Sequence, residues 1–155
     1  MKKKSMREPV EAKLVPGVVV VMDLDRFEEF TREHGLDEYT PNFVTGELTR
    51  LVEELVVRRR GVVICGLDYE RGTEEAVIEF PFTSLSELVE DLQRVLDTIK
   101  SLGTSITIVA VEGMVSCRRA RTKQEAFHGT PWRSMATRLL RDAKRKGGGK
   151  LVLYP

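Results

Sequence analysis

The chain opens its patterned region with an unbroken apolar run. Val15–Met22 (VPGVVVVM) is β-branched, is introduced by Pro16-Gly17, and predicts a buried strand. A short amphipathic helix follows from about Arg26 and ends at His34-Gly35, with the glycine as C-cap. Thr40-Pro41 predicts the next start, threonine as N-cap and proline in the first turn, and Phe43, Val44, Leu48, Leu51, Val52 and Leu55 keep helical spacing behind it. Two short strands, Val62–Leu67 and Ala76–Phe80, flank the polar DYERGTEE and predict a hairpin. Ser84 and Glu87 form an S-x-x-E capping box ahead of a long helical face from Leu85 to Leu102, which Gly103 stops. SITIVAV (105–111) is the fourth strand, and residues 112–130 show no period and read as a long loop. A basic helix spans Pro131–Lys146, three glycines end it, and Lys150–Tyr154 is a last strand.

The predicted order is β-α-α-β-β-α-β-α-β. A hairpin between two crossover helices is the ferredoxin-like split βαβ pattern, here with one added helix and strand, an α+β palm with helices packed on one face of its sheet. Residues 15–155 form one domain behind a tail of residues 1–14, and 155 residues suffice to bury a core. In such a palm the end of the first strand and the hairpin turn lie side by side.

Charge changes this picture. The net charge is +1, yet residues 118–150 hold 11 Lys or Arg and 2 Asp or Glu, while residues 1–117 hold 14 basic and 22 acidic residues. An acidic body with a basic C-terminal third suits metal-binding carboxylates facing a polyphosphate held by cations, and equally a solvated basic helix. No apolar run approaches the roughly 20 residues that cross a bilayer. The basic start MKKKSMREPV lacks the apolar core of a signal peptide, which predicts a cytoplasmic protein without membrane contact. Heavy use of Val, Arg and Glu points to a thermophilic source. Cys65 and Cys117 read as reduced thiols, and neither His34 nor His128 has partners at ligand spacing. The CRRARTK run carries no interleaved aromatic residues, so nucleic acid is not the expected partner.

The candidate chemistry lies where the first strand meets acid, at Asp23 and Asp25 in VVVVMDLDRF. Alone, Asp23 reads as a strand-end acid favoured by the following helix dipole, and Asp25 as a helix N-cap. Glu74 and Glu75 in the hairpin turn change the reading, since they would stand opposite Asp23. Asp68, in ICGLD, is an alternative hairpin carboxylate.

Gly72-Thr73-Glu74-Glu75-Ala76 followed by VIEFP resembles the GG[D/E]EF signature of diguanylate cyclase domains and the strand after it. MDLDRFEEFTREHG is similar to that family's D-x-D-x-F segment, SITIVAV to its fourth strand, and MATRLLRDAKRKGGGKLVLY to its closing helix and strand. The resemblance implies a GGDEF-like nucleotidyl cyclase palm, a divergent member that binds a nucleoside triphosphate (GTP or ATP) with Mg²⁺ or Mn²⁺ and transfers a phosphoryl group in the manner of cyclases and polymerases. It implies Asp23, the Leu24 carbonyl and Glu74 as metal ligands, and Asp23 and Glu74 as catalytic. Asp25 and Glu75 are accompanying acids, Lys144 is a phosphate contact, and Lys146 or Lys150 stands in for a missing arginine. Thr31 and Thr40 fall where the family's guanine-reading residues stand, and Thr73 replaces the second signature glycine. A homodimer is the implied assembly. Hydrolysis of GTP in the manner of GTP cyclohydrolase III, which residues 40–42 (TPN) resemble, and a catalytically degenerate nucleotide-binding regulatory module are the alternatives.

Overall fold

The computed structural model describes residues 13–37 and 39–155; residues 1–12 of the expected tail lie outside the described residues. Strand β1 (Val15–Asp25) runs into helix α1 (Phe27–His34), and α2 (Phe43–Arg59) leads to the hairpin β2 (Val62–Cys65) and β3 (Glu75–Pro81). Helix α3 (Leu85–Ser101), strand β4 (Ser105–Val115), helices α4 (Lys123–His128) and α5 (Pro131–Arg145), and strand β5 (Leu151–Tyr154) complete the chain.

The strands form one sheet in the order β2-β3-β1-β4-β5, antiparallel except for β4 with β5. This is the expected palm: the α1–α2 crossover places β2 two positions from β1, and β3 returns between them. The helices, expected on one face, cover both. Val18, Val20, Met22 and Leu24 of β1 pack with α1, α2 and α3, whereas Val19 and Val21 pack with α4 and α5. Strand side chains alternate between faces, so a run apolar at every position needs cover on both sides.

Other boundaries also differ from expectation. Asn42, not Thr40, caps α2: its side chain accepts from Val44 N and Thr45 N, and Thr45 Oγ1 accepts from Asn42 N. A two-way cap satisfies more end donors than a threonine followed by proline. The stretch 112–130 is not one loop. Strand β4 continues to Val115, pairing with β1 along all eleven of its residues, and Thr122 caps α4 through Glu125 N. Glu112 and Gly113 inside the strand and Ser116 just after it mask the period there. Among the described residues no helix is long and apolar enough to cross a membrane.

The second core contains an ion pair. Glu79, wholly buried on β3, accepts from Arg133 Nε at 2.8 Å and Arg133 Nη2 at 3.2 Å, and Arg133 is itself only 2% exposed. Ser116 N and Cys117 N donate to Glu79 Oε1, and Arg133 also donates to the Glu125 and Arg118 carbonyls and to Ser116 Oγ. Such a pair is tolerated because its remaining donors and acceptors are satisfied. Removing one partner strands the other. Arg133→Met should lower unfolding free energy by about 3–5 kcal/mol in urea titrations, and adding Glu79→Gln should recover part of that loss. A cost below about 1 kcal/mol would sink this account of the pair.

Candidate functional site

Strand β1 carries its apolar run to Met22, then turns polar where the hairpin crosses beside it. In the register Asp23 stands opposite Glu75 on β3 and Thr107 on β4. Leu24 N donates to the Glu74 carbonyl at 3.0 Å, which draws the turn against the strand end. The result is an open cleft of about 470 Å³ whose acids are Asp23, Asp68, Glu74 and Glu75, with Arg71 and Lys123 as its cations. Four of the acids singled out from sequence therefore share one cleft.

The turn has its own construction. Asp68 Oδ1 accepts from Glu70 N and Arg71 N, each at 2.9 Å, and the Asp68 carbonyl accepts from Gly72 N. Gly72 has φ of +93°, and a Cβ there would lie 2.1 Å from Thr45 Oγ1, so the turn requires glycine. Thr73, in place of the second signature glycine, points inward: it is fully buried, and its hydroxyl bonds Thr49 Oγ1 at 2.7 Å. The cleft stays open. Thr31 is likewise buried, with its hydroxyl donating to the Glu28 carbonyl, so it cannot read a base.

Asp25 lies outside the cleft. Its carboxylate accepts from Ser105 Oγ at 2.6 Å, Thr107 Oγ1 at 2.7 Å, Gly149 N at 2.8 Å and Lys144 Nζ at 2.9 Å. Burial opposes its ionisation, but the two hydroxyls and the ammonium outweigh burial and hold its carboxyl below the ordinary value. The helix N-cap role is not observed: Arg26 is the N-cap of α1, and no side-chain cap bond forms there. Asp25 instead joins β1, β4, α5 and the three-glycine turn. Gly148, at φ +66°, would place a Cβ 2.7 Å from Asp25 Oδ1.

Asp23 is left less well served. Burial, reinforced by Glu75 and Asp25 and only partly offset by Lys144, pushes its carboxyl up to about 6. Lys144 Nζ lies 3.1 Å from Asp23 Oδ2, 2.9 Å from Asp25 Oδ1 and 3.0 Å from the Leu24 carbonyl. It thus touches both oxygen sources assigned to a metal on the β1 side. Lys146 pairs with Asp142 at 3.2 Å and Lys150 is exposed; neither borders the cleft. Sequence reasoning missed two cleft cations. Lys123, 2.8 Å from Glu75 Oε2, lies in the stretch with no period, whereas Arg71 stands directly before the signature glycine and was legible there. Among the described residues no three His, Cys, Asp or Glu side chains converge as a preformed metal group.

Two solved structures align with nearly the whole chain. A microbial GGDEF domain, described for its interaction with bis-(3′,5′)-cyclic di-GMP, matches at a TM-score of 0.55 and 20% identity, over 98% of this chain and 90% of that one. The FimX GGDEF domain from Pseudomonas aeruginosa matches at 0.58 and 18% identity, over 97% and 87%. The fold is that of GGDEF domains. No family model matches the chain, and no curated protein sequence matches it. Within the GGDEF fold, this chain's GTEE turn and its β1 end are neighbours, as the signature resemblance requires.

Two outcomes follow from the charges. The folded state holds the Asp23 proton up to about pH 6, against an ordinary value of 3.8. It therefore binds more protons than the unfolded chain between about pH 4 and 6, and its stability falls as pH rises through that window. Asp25 acts oppositely, its contribution being lost as pH falls below its ordinary value. In metal-free buffer Asp23→Asn should remove the decline between about pH 4 and 6 in thermal unfolding, and an unchanged slope would contradict the assignment. Gly148→Ala meets both a positive φ and the Asp25 carboxylate, and should cost about 1–3 kcal/mol by urea unfolding.

Proposed function

We propose that this chain is a metal-dependent nucleotide-binding palm that acts on a nucleoside triphosphate by cyclase- or polymerase-type phosphoryl transfer. The observation that carries this reading is the meeting of Asp23, at the end of the central strand, with Glu74 and Glu75 of the hairpin turn in one cleft that also holds Arg71 and Lys123. Carboxylates and carbonyls are hard oxygen donors that suit Mg²⁺ or Mn²⁺. Mg²⁺ is commonly held by one or two carboxylates together with substrate phosphates, so the donors fit a cation that arrives with its nucleotide. Asp23, the Leu24 carbonyl and Glu74 would hold it. Bound there, the ion would neutralise phosphate charge and polarise the reacting phosphorus.

The protein's own share is placement. Asp23 and Glu74 fix the triphosphate end of the cleft, and Arg71 and Lys123 supply donors for its oxygens. In the reaction a ribose hydroxyl bonds to an α-phosphorus, the bond from that phosphorus to the β-phosphate oxygen breaks, and diphosphate leaves as the hydroxyl gives up its proton. A product linking two nucleotides requires two such clefts facing each other, hence a homodimer. With Thr31 buried, selection of guanine has no side chain at that position, and GTP and ATP are both candidate substrates.

One observation favours a second reading, a nucleotide-binding regulatory module without turnover. Lys144 already holds Asp23 and the Leu24 carbonyl, so an ammonium and a divalent cation compete for the same oxygens. Incubation with Mg²⁺ or Mn²⁺ and each of GTP, ATP, CTP and UTP, followed by mass spectrometry, separates the readings. A cyclic or linked nucleotide is expected, reduced at least a hundredfold by Asp23→Ala and by Glu74→Ala. Ring-opened GTP would move the chain to cyclohydrolase chemistry. Metal-dependent binding without product would establish the regulatory module, and binding unaltered in both variants would refute the site.

A further inference from the structure

The hairpin turn and the connection between α1 and α2 lie against each other beside the acid cleft. Thr73 N donates to the Thr45 carbonyl, and a Cβ on Gly72 would stand 3.2 Å from Pro41 Cα. Two side chains meet across this contact. Arg71, which lines the cleft, lays its guanidinium over the ring of Tyr39, 5.2 Å from the centroid. An aspartate sets the backbone of each partner. Asp37 Oδ1 accepts from Tyr39 N at 2.8 Å, and Asp68 Oδ1 accepts from Arg71 N at 2.9 Å.

Tyr39 is 70% exposed, so it contributes little to either core. The neighbouring exposed rings have occupations of their own: Phe43 packs edge-on against Phe30, and the Tyr69 hydroxyl donates to Glu53. Tyr39 instead meets a residue of the cleft. The guanidinium holds one face of its ring by a cation–π contact, and the exposure of the residue leaves ring surface open to solvent. An aromatic face held in place and kept open is what a flat, unsaturated ligand group stacks upon.

The acid cleft lies within reach of that face. Glu75, opposite Asp23 in the register, is four residues from Arg71, a span of at most about 14 Å. We propose that Tyr39 is the base platform of the acid cleft, stacking the purine of a nucleoside triphosphate whose phosphates lie at Asp23. This rests on the nucleotide reading of that cleft and adds to it the class of base. Every base has a π-face, so stacking accepts adenine and guanine alike, and it favours them over the smaller pyrimidines. Thr31, buried with its hydroxyl on the Glu28 carbonyl, adds no hydrogen-bond reading that would separate the two purines.

Calorimetric titration in Mg²⁺ with the α,β-methylene analogues of ATP, GTP, CTP and UTP, and with inorganic tripolyphosphate, reads base and phosphates apart. Carbon replaces the α,β-bridging oxygen in these analogues, so no diphosphate can leave and binding alone is measured. The two purine analogues should bind within about threefold of each other and more tightly than the pyrimidines. Tyr39→Ala should weaken both purine analogues about tenfold or more, and Tyr39→Phe, which keeps the ring, should restore them. Tripolyphosphate should bind all three proteins within about twofold. Purine binding that is unchanged in Tyr39→Ala but lost in Asp23→Ala would overturn the platform and leave the nucleotide site standing. An equal loss for tripolyphosphate would also overturn it, because Tyr39 would then act on the phosphates through Arg71. If the parent binds neither the analogues nor tripolyphosphate, the platform and the nucleotide reading fall together.

Discussion

A sheet apolar on both faces can hold an ionised group only where something answers its charge. This constraint organises the molecule, because three of the carboxylates on its strands, Glu79, Asp25 and Asp23, are each answered differently. Glu79 is met by a guanidinium deep in the second core. Asp25 is met by two hydroxyls, a backbone N–H and an ammonium, which keep it charged in spite of burial. Asp23 is met only in part, and its proton affinity rises accordingly. Of these three, the acid whose charge the fold leaves incompletely balanced is the one that borders the open cleft.

That gradation separates structure from chemistry more sharply than residue type does. Asp23 and Asp25 are two residues apart on one strand and look interchangeable in sequence. The register sends Asp25 toward Ser105 and the three-glycine turn, and sets Asp23 against Glu75. The three glycines, all at positive φ, are then readable as a wrap around Asp25. Any side chain at position 148 would drive its Cβ into that carboxylate, so the glycine of this turn and the burial of Asp25 are one fact.

Much of the fold was legible because its signals are local. The β-branched run, the Ser84–Glu87 box and the helical spacing of α3 each depend on neighbours within one turn. The order of strands followed from the hairpin between crossovers. The far half of β4 was hidden because Glu112, Gly113 and Ser116 dilute its apolar residues, and pairing with β1 overrides that weak local preference. The cleft was half legible. Asp23 and the GTEE turn announced themselves through the signature, but Lys123 reaches Glu75 only through the course of a loop that has no period of its own. Glu79 stood in plain view as an acid inside AVIEF; its partner lies 54 residues on, at a distance no periodicity spans.

Helix α5 is tied down at both ends by charge, through Arg133 to β3 near its start and through Lys144 to β1 near its finish. A helix pinned twice cannot slip by one turn, a 5.4 Å step, without unmaking both attachments at once. It behaves as a strut along the sheet, with its two attachment points about 16 Å apart along the helix axis. Whatever passes between the two ends of this sheet must therefore travel as a tilt of the whole rod.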